Sequence, residues 1–370
     1  MIWATILILG VLITIHEFGH FIAARSVGIR VERFSIGIPP RFMSITSIDD
    51  GWMIRIFFYK RSQGRFSWQP VVEKTISKIG RIGSETEYVI ALLPLGGYVK
   101  MAGIIDESMD TELSYKDDEF MSKPLWAKLW VMSAGVIMNT ILAFFIFATI
   151  GFTQGMPEVS EEPIVAELQA DMPAIAAGIQ PGDKIVAIDG KEIKTWRDLT
   201  TVIHGKPNTN ISLTILRDAV QIDLAITTTF MPVPTNAGMD TLGAIGIIPE
   251  IEYRDITVAE AFNIGWIRTA GSFRMIMMIL KMLVSGEASV SDFGGPIMIA
   301  QLAGQTAEAG WIPFLTFMAL ISVNLAFINI LPIPGLDGGH IFIHLIEAVL
   351  RRPLTLKARI TIQHIGMAFL

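Results

Sequence analysis

Between Met1 and Ala24 the chain is almost wholly apolar, and Glu17 is its only formally charged side chain. The only other titratable groups there are His16 and His20. A run of this length can span a bilayer. At its middle an acid costs about 2.5–3.5 kcal/mol on insertion scales, so three such groups within five residues call for a shared reason. Two histidines four apart lie on one helix face. His-Glu-x-x-His is the spacing of a zinc site, with His16 and His20 as ligands and Glu17 as general base. The motif supplies two protein ligands, so a third must come from elsewhere.

Composition agrees with a membrane protein carrying soluble mass. The 370 residues are 51% hydrophobic and 17% charged, against about 25% charged in soluble domains, and the mean hydropathy is +0.51. A net charge of −6 does not suggest nucleic-acid binding. With no cysteine, disulfides and thiolate ligands are excluded. No basic residue precedes the first apolar run and no small-residue cleavage pattern follows it, so residues 1–25 read as a retained first span.

Residues 129–152 hold no charge and read as a second span. Asn139 is polar in its middle and is expected to bond a neighbouring helix, while Ser133, Ala134 and Gly135 allow close packing. A third span is expected over 309–337, carrying Asn324 and Asn329 and ending at Pro332 and Pro334, which unwind the helix. Asp337 follows and is a candidate third ligand. A competing set is His340, His344 and Glu347, also at helical spacing. Residues 338–370 read as a cytoplasmic segment followed by the start of a fourth span cut short at Leu370.

Between the first two spans, 26–128 carries 14 of the 29 basic residues, or 15 with Arg25 at its edge, whereas 153–255 carries seven. Positive residues favour the cytoplasmic side, so the first loop is expected inside and the second outside. The first loop contains strand-like pieces at 33–38, 52–59 and 88–105, the last with Gly96 and Gly97. They fit either a sheet dipping into the membrane against protein or a small soluble sheet. Residues 60–84 read as an exposed basic excursion, and 106–120 as an acidic, solvated loop. Within the linker 231–308, residues 256–284 are apolar but interrupted by Arg268, Arg274 and Lys281, which favours an amphipathic helix on the membrane surface over a span.

Residues 156–230 alternate short strands (164–168, 184–189, 211–217, 220–226) with helices at 173–177 and 196–204, the second opened by a Thr195/Asp198 capping box. The run Gly178-Ile179-Gln180-Pro181-Gly182-Asp183 followed by an apolar strand and Asp189-Gly190 resembles a PDZ domain of the bacterial protease-associated type. Such domains bind extended peptide at a sheet edge.

Taken together, these marks resemble the bacterial site-2 proteases, PDZ-containing intramembrane zinc metalloproteases of the sigma-E-regulator type. The resemblance rests on His16-Glu17-Phe18-Gly19-His20, on Pro94-Leu95-Gly96-Gly97-Tyr98-Val99-Lys100-Met101, on the PDZ-like run, and on Asn329 through Pro332 and Pro334 to Asp337-Gly338. It implies a polytopic α-helical membrane protein of three spans plus a partial fourth, with a membrane-associated β-element and an inserted α+β PDZ domain. It implies Zn2+ held by His16, His20 and Asp337, Glu17 as catalytic base, and Asn324, Asn329, Gly96 and Gly97 at the substrate. The implied substrates are single-span regulators such as anti-sigma factors, cut within the bacterial inner membrane at a site facing the cytoplasm, with peptide ends at an extracytoplasmic PDZ domain. Departures are a single PDZ-like unit, Val136 where the family has proline, Pro39 where it has glycine, and the long 60–84 stretch. A metal transporter and a silent PDZ scaffold are the competing function classes. The former needs no general base, and the latter needs no intact ligand set.

Overall fold

A computed structural model describes residues 2–62, 65–104, 116–235, 238–287, 295–355, 358–359 and 361–362. Most of the acidic 106–120 stretch and the apolar end after 362 lie outside the described residues. The chain forms two compact units, residues 1–151 with 258–370, and residues 152–257.

The first unit opens with α1 (Ile2–Ser26). Its buried residues Ala4, Ile8, Leu12, His16 and His20 recur every fourth position, which keeps them on one slowly drifting face. Ala4, Ile8 and Leu12 pack with Ala303, Phe314 and Met318. The stripe that docks α1 onto its neighbours therefore continues directly into the two histidines.

Four strands follow: β1 (Val31–Ile48), β2 (Gly51–Ser62), β3 (Arg65–Ser77) and β4 (Glu87–Met101), in the order β3-β2-β1-β4. Both β1 and β4 double back. Phe34 to Ile36 pair with Val99 to Gly97 and also with Tyr88 to Ile90, while Met43 to Thr46 pair with Ile90 to Glu87. The 97–101 half of β4 is left as an edge strand against α1. Residues 60–84, an excursion by their charge, contain β3. Its strand signal is diluted by residues such as Lys74 and by Glu73, which pairs with Arg55 across the ladder at 3.0 Å.

The second long helix, α2 (Leu125–Gln154), packs Val131, Met132 and Ala134 against Ala23 and Ala24 of α1. It leads to the second unit, which contains β5 (Met156–Val159), β6 (Val165–Leu168), α3 (Pro173–Ala176), β7 (Lys184–Ile188), β8 (Lys191–Glu192), α4 (Trp196–His204), β9 (Asn210–Arg217), β10 (Val220–Thr227), β11 (Thr229–Thr235), β12 (Gly238–Ala244), β13 (Ile247–Pro249) and β14 (Ile251–Arg254). Ile185, Ile188, Leu199, Ile211, Leu213 and Ile215 form its core. The Thr195/Asp198 capping box opens α4. The unit reaches beyond 156–230, because β13 pairs with β6 and β14 with β5. Those pairings join segments some 80–95 residues apart, which local patterning does not reveal.

In this unit Asp183 is 1% exposed. Burial alone would raise its pKa, but two hydrogen bonds from Arg217 at 2.7 Å and the Gln180 amide hold it below the ordinary 3.8. A folded-state value below the unfolded one gives a stability contribution that is complete above the unfolded pKa and is lost as pH falls through the folded one. The unit is therefore expected to unfold at lower denaturant at pH 3 than at pH 6. Asp183→Asn should flatten that difference, read by circular dichroism during urea titrations.

The chain then returns to the first unit through α5 (Val258–Ser285), α6 (Pro296–Ala309), α7 (Trp311–Ile330) and α8 (Asp337–Leu350). Gly265 of α5 approaches Phe144 and Ala148, and Phe273 and Ile276 join a cluster with Ala143, Phe147, Ala319 and Val323. The segment expected on the membrane surface thus packs along α2 and α7, while Trp266, Ile267, Met277 and Met278 stay exposed. Among the described residues, three helices are long and apolar enough to cross a membrane: Ile2–Ser26, Leu125–Gln154 and Trp311–Ile330.

Candidate metal centre

Proline and packing place the third ligand candidate. After Ile330 the chain leaves helical geometry at Leu331, as Pro332 and Pro334 require. Gly335 turns it at a φ of +98°, and α8 begins at Asp337. A Cβ on Gly338 would lie 2.3 Å from the Ile330 and Leu331 carbonyl oxygens. The absence of side chains at 338 therefore lets α8 start hard against the unwound turn.

This brings Asp337 to α1. Its Oδ2 lies 3.0 Å from His16 Nε2 and 3.3 Å from His20 Nε2. The two Nε2 atoms are 3.2 Å apart. His16 and His20 are 6% and 5% exposed. Asp337 Oδ2 is buried yet has no hydrogen-bond partner. Three potential ligand atoms within 4.8 Å of one another, one of them an orphaned buried carboxylate oxygen, fit a cation better than a hydrogen-bonded cluster. Two imidazoles and a carboxylate form a mixed nitrogen and oxygen set of the type that holds catalytic zinc with a position left open.

Helix α2 forms the back wall. His20 Nδ1 donates to the Val131 carbonyl at 2.8 Å, so Nδ1 carries a proton, and in the neutral ring the Nε2 lone pair faces Asp337. A Cβ on Gly135 would lie 2.5–2.7 Å from three atoms of the His16 ring. Gly135→Ala should therefore push the ring out of place and lower bound zinc per chain well below one, as metal analysis of purified protein would show.

Glu17 leans towards β4, where Val99 N–H donates to its Oε2 at 3.2 Å. Thr14 Oγ1 donates to the Gly96 carbonyl at 3.2 Å. Gly96, at a φ of +131°, sits where a Cβ would meet Ile13 at 2.9 Å, and Gly97 where one would meet the Ser35 carbonyl at 2.4 Å. The Pro94–Met101 stretch is thereby pressed onto the helix that carries the histidines. Asn324 and Asn329 lie on α7 five positions apart, which rotates them by about 140° from each other. Neither makes a hydrogen bond among the described residues.

The competing set does not assemble. His344 Nδ1 meets Glu347 at 3.2 Å, and Glu347 is tied to Arg359 by two short hydrogen bonds. Burial, then the positive charges of Arg359 and Lys128, push the His344 imidazole down to about 4. Among the described residues, His16, His20 and Asp337 form the only group able to hold a metal ion. The sequence marked Asn139 as a residue that bonds a neighbouring helix, which it does at His16 of α1, and Gly135 as a packing residue, without linking either to the histidines. Their nearness to His16 depends on how two helices meet, and the only hint was a lone asparagine in an uncharged run.

The sequence model of peptidase family M50 matches residues 4–64 and 71–370. The chain belongs to this site-2 protease family. A putative zinc metalloprotease of Clostridium acetobutylicum is 32% identical over 93% of this chain and 86% of its own length. One of Clostridium perfringens is 32% identical over 97% and 91%. The regulator of sigma-E protease RseP of Salmonella typhimurium is 28% identical over 99% and 95%. This M50 peptidase is a zinc metalloprotease and a membrane protein.

Proposed function

We propose that the protein cleaves transmembrane segments of membrane-bound regulators such as anti-sigma factors, with His16, His20 and Asp337 holding zinc and Glu17 acting as base. The observation that carries this reading is the convergence within 4.8 Å of the orphaned Asp337 Oδ2 with the two Nε2 atoms of the helix that also carries Glu17. The relatives named as regulators of sigma factors support the substrate class.

When bound, zinc supplies Lewis acidity towards a peptide carbonyl and the attacking water. The chain's own groups do the rest. Glu17, oriented by the Val99 amide, takes the proton of the water and returns it to the leaving amine. The β4 edge, with Gly96 and Gly97, receives substrate as an added strand, since a helical substrate must be extended before its peptide bonds are reachable. An apolar groove of about 590 Å³ bordered by Trp3, Leu7, Gly10, Thr14, Pro94 and Gly96 leads an apolar segment along α1 towards that edge. The uncommitted amides of Asn324 and Asn329 satisfy backbone groups bared by unwinding, which matters most where water is scarce.

Residues 156–230 read as a PDZ domain that receives peptide ends. A cavity of about 160 Å³ between α4 and the 243–249 stretch, lined by Trp196, Leu199 and Ile203, suits an apolar side chain. The charge asymmetry supports 26–128 towards the cytoplasm of the bacterial inner membrane and the PDZ domain outside it.

The test uses the purified chain and a tagged single-span substrate. Chelation should abolish cleavage, and stoichiometric zinc should restore it. Neither a metal transporter nor a silent scaffold would cleave at any stage, and cleavage that persists without zinc would point to another chemistry. Either result would remove the protease reading.

A further inference from the structure

Helix α2 meets the two histidines on their far sides. It does so with three residues spaced four apart: Val131 against His20, Gly135 against the His16 ring and Asn139 at His16 Nδ1. Four-residue spacing puts all three on one helix face. The Val131 carbonyl fixes the His20 tautomer. His16 has no backbone carbonyl in the corresponding place. Its Nδ1 instead lies 3.3 Å from the Asn139 side-chain amide, with Nδ2 placed towards the ring. Asn139 is fully buried, and its Oδ1 is committed to no other partner. Its own backbone carbonyl accepts from Ser322 Oγ at 2.8 Å, pinning this level of α2 to α7.

An amide can meet an imidazole nitrogen in two ways, related by a half-turn that exchanges O and N without changing shape. If the NH2 faces the ring, Nδ1 must accept, and the proton sits on Nε2, pointing at Asp337 and His20. If the oxygen faces the ring, Nδ1 donates, and the Nε2 lone pair joins the ligand set. Only the second arrangement gives His16 the same ligating tautomer that the Val131 carbonyl gives His20. Nothing else competes for that oxygen.

We propose that Asn139 is the positioning residue of His16, its Oδ1 accepting the Nδ1 proton and so holding Nε2 towards the metal. Helix α2 is then a template that sets both histidine ligands, by a backbone carbonyl at 131 and a side-chain carbonyl at 139, with the bare Cα of Gly135 giving the His16 ring its room. This rests on the zinc reading of His16, His20 and Asp337. Partners of this kind that orient ligating histidines typically change metal affinity by about 10–100-fold when removed.

The test is zinc affinity, measured by chelator competition on the full-length chain in detergent, for Asn139→Leu and Asn139→Asp. Leucine keeps the volume and removes the acceptor. Aspartate keeps an acceptor at Oδ1 and removes the donor. Leucine should weaken zinc about 10–100-fold and alter the visible spectrum of the cobalt-substituted protein, while aspartate should hold affinity within a few-fold of wild type. Equal loss in both variants, or no loss with leucine, would overturn the proposal. If the leucine variant does not fold, nitrogen NMR of the metal-free wild type decides: a proton on His16 Nδ1 is expected, and one on Nε2 overturns it. If the zinc reading itself is wrong, the wild type will bind no stoichiometric zinc, or His16→Ala will leave its affinity unchanged. Neither of those results can be mistaken for a failure at Asn139.

Discussion

Glu17→Gln is expected to lower peptide cleavage by about 10²–10⁴-fold, the usual range for removing a positioned general base, while leaving bound zinc at one per chain. The structure separates the two roles. Glu17 lies outside the group of convergent ligand atoms, and its Oε2 is engaged by the Val99 amide. Glutamine can accept the same hydrogen bond in the same shape, so the side chain should keep its place between α1 and the β4 edge. What glutamine cannot do is take a proton from water. Cleavage of a single-span substrate and zinc content, measured on the same preparation, decide the matter. Activity within tenfold of wild type would show that Glu17 is not the base. Loss of zinc together with activity would show that its role lies in holding the metal.

The parts of the site that could be read directly were those fixed by local spacing. His16, Glu17 and His20 share one helix, and an acid with two histidines in an apolar run has few structural explanations. In the second unit, alternation marked β9 and β10 closely, because each keeps a regular inward face, while β6, β7, α3 and α4 were marked by the turn and capping residues that bound them. Distant pairings were not legible. β13 and β14 are three and four residues long and find their partners far back in the chain. The doubling of β1 around β4 likewise depends on contacts that no window of sequence contains. The same holds for Gly135 and Asn139. Only the crossing of α1 and α2 turns a small residue and a lone amide into the wall behind His16. Asp337 stood between these cases. Its prolines and glycines announced an unwound turn, but His340 and His344 offered the same spacing as the opening motif. Packing separated them, since α8 commits His344 to Glu347 and Glu347 to Arg359.

That separation yields the second large effect. Asp337→Ala should reduce zinc affinity by more than the about 10–100-fold typical of losing an outer partner, and should bring cleavage to background. His340→Ala and His344→Ala should both keep zinc. The reasoning is geometric and electrostatic. Among the described residues, Asp337 is the only carboxylate whose oxygen meets both Nε2 atoms, at 3.0 and 3.3 Å. Without it the two imidazoles offer a cation two neutral ligands and no charge, in surroundings where an uncompensated ion is costly. The fold should tolerate the change, because α8 is set by Gly338 and Gly339 seated against the 330–334 turn rather than by the carboxylate. His344, in contrast, supports the attachment of residue 359 through Glu347, so its loss should lower thermal stability and leave the metal in place. Measuring zinc per chain and the unfolding temperature for all three variants distinguishes the two triads. Retention of stoichiometric, tightly held zinc by Asp337→Ala, with loss in His340→Ala or His344→Ala, would move the metal to α8 and leave the histidines of α1 without a ligand role.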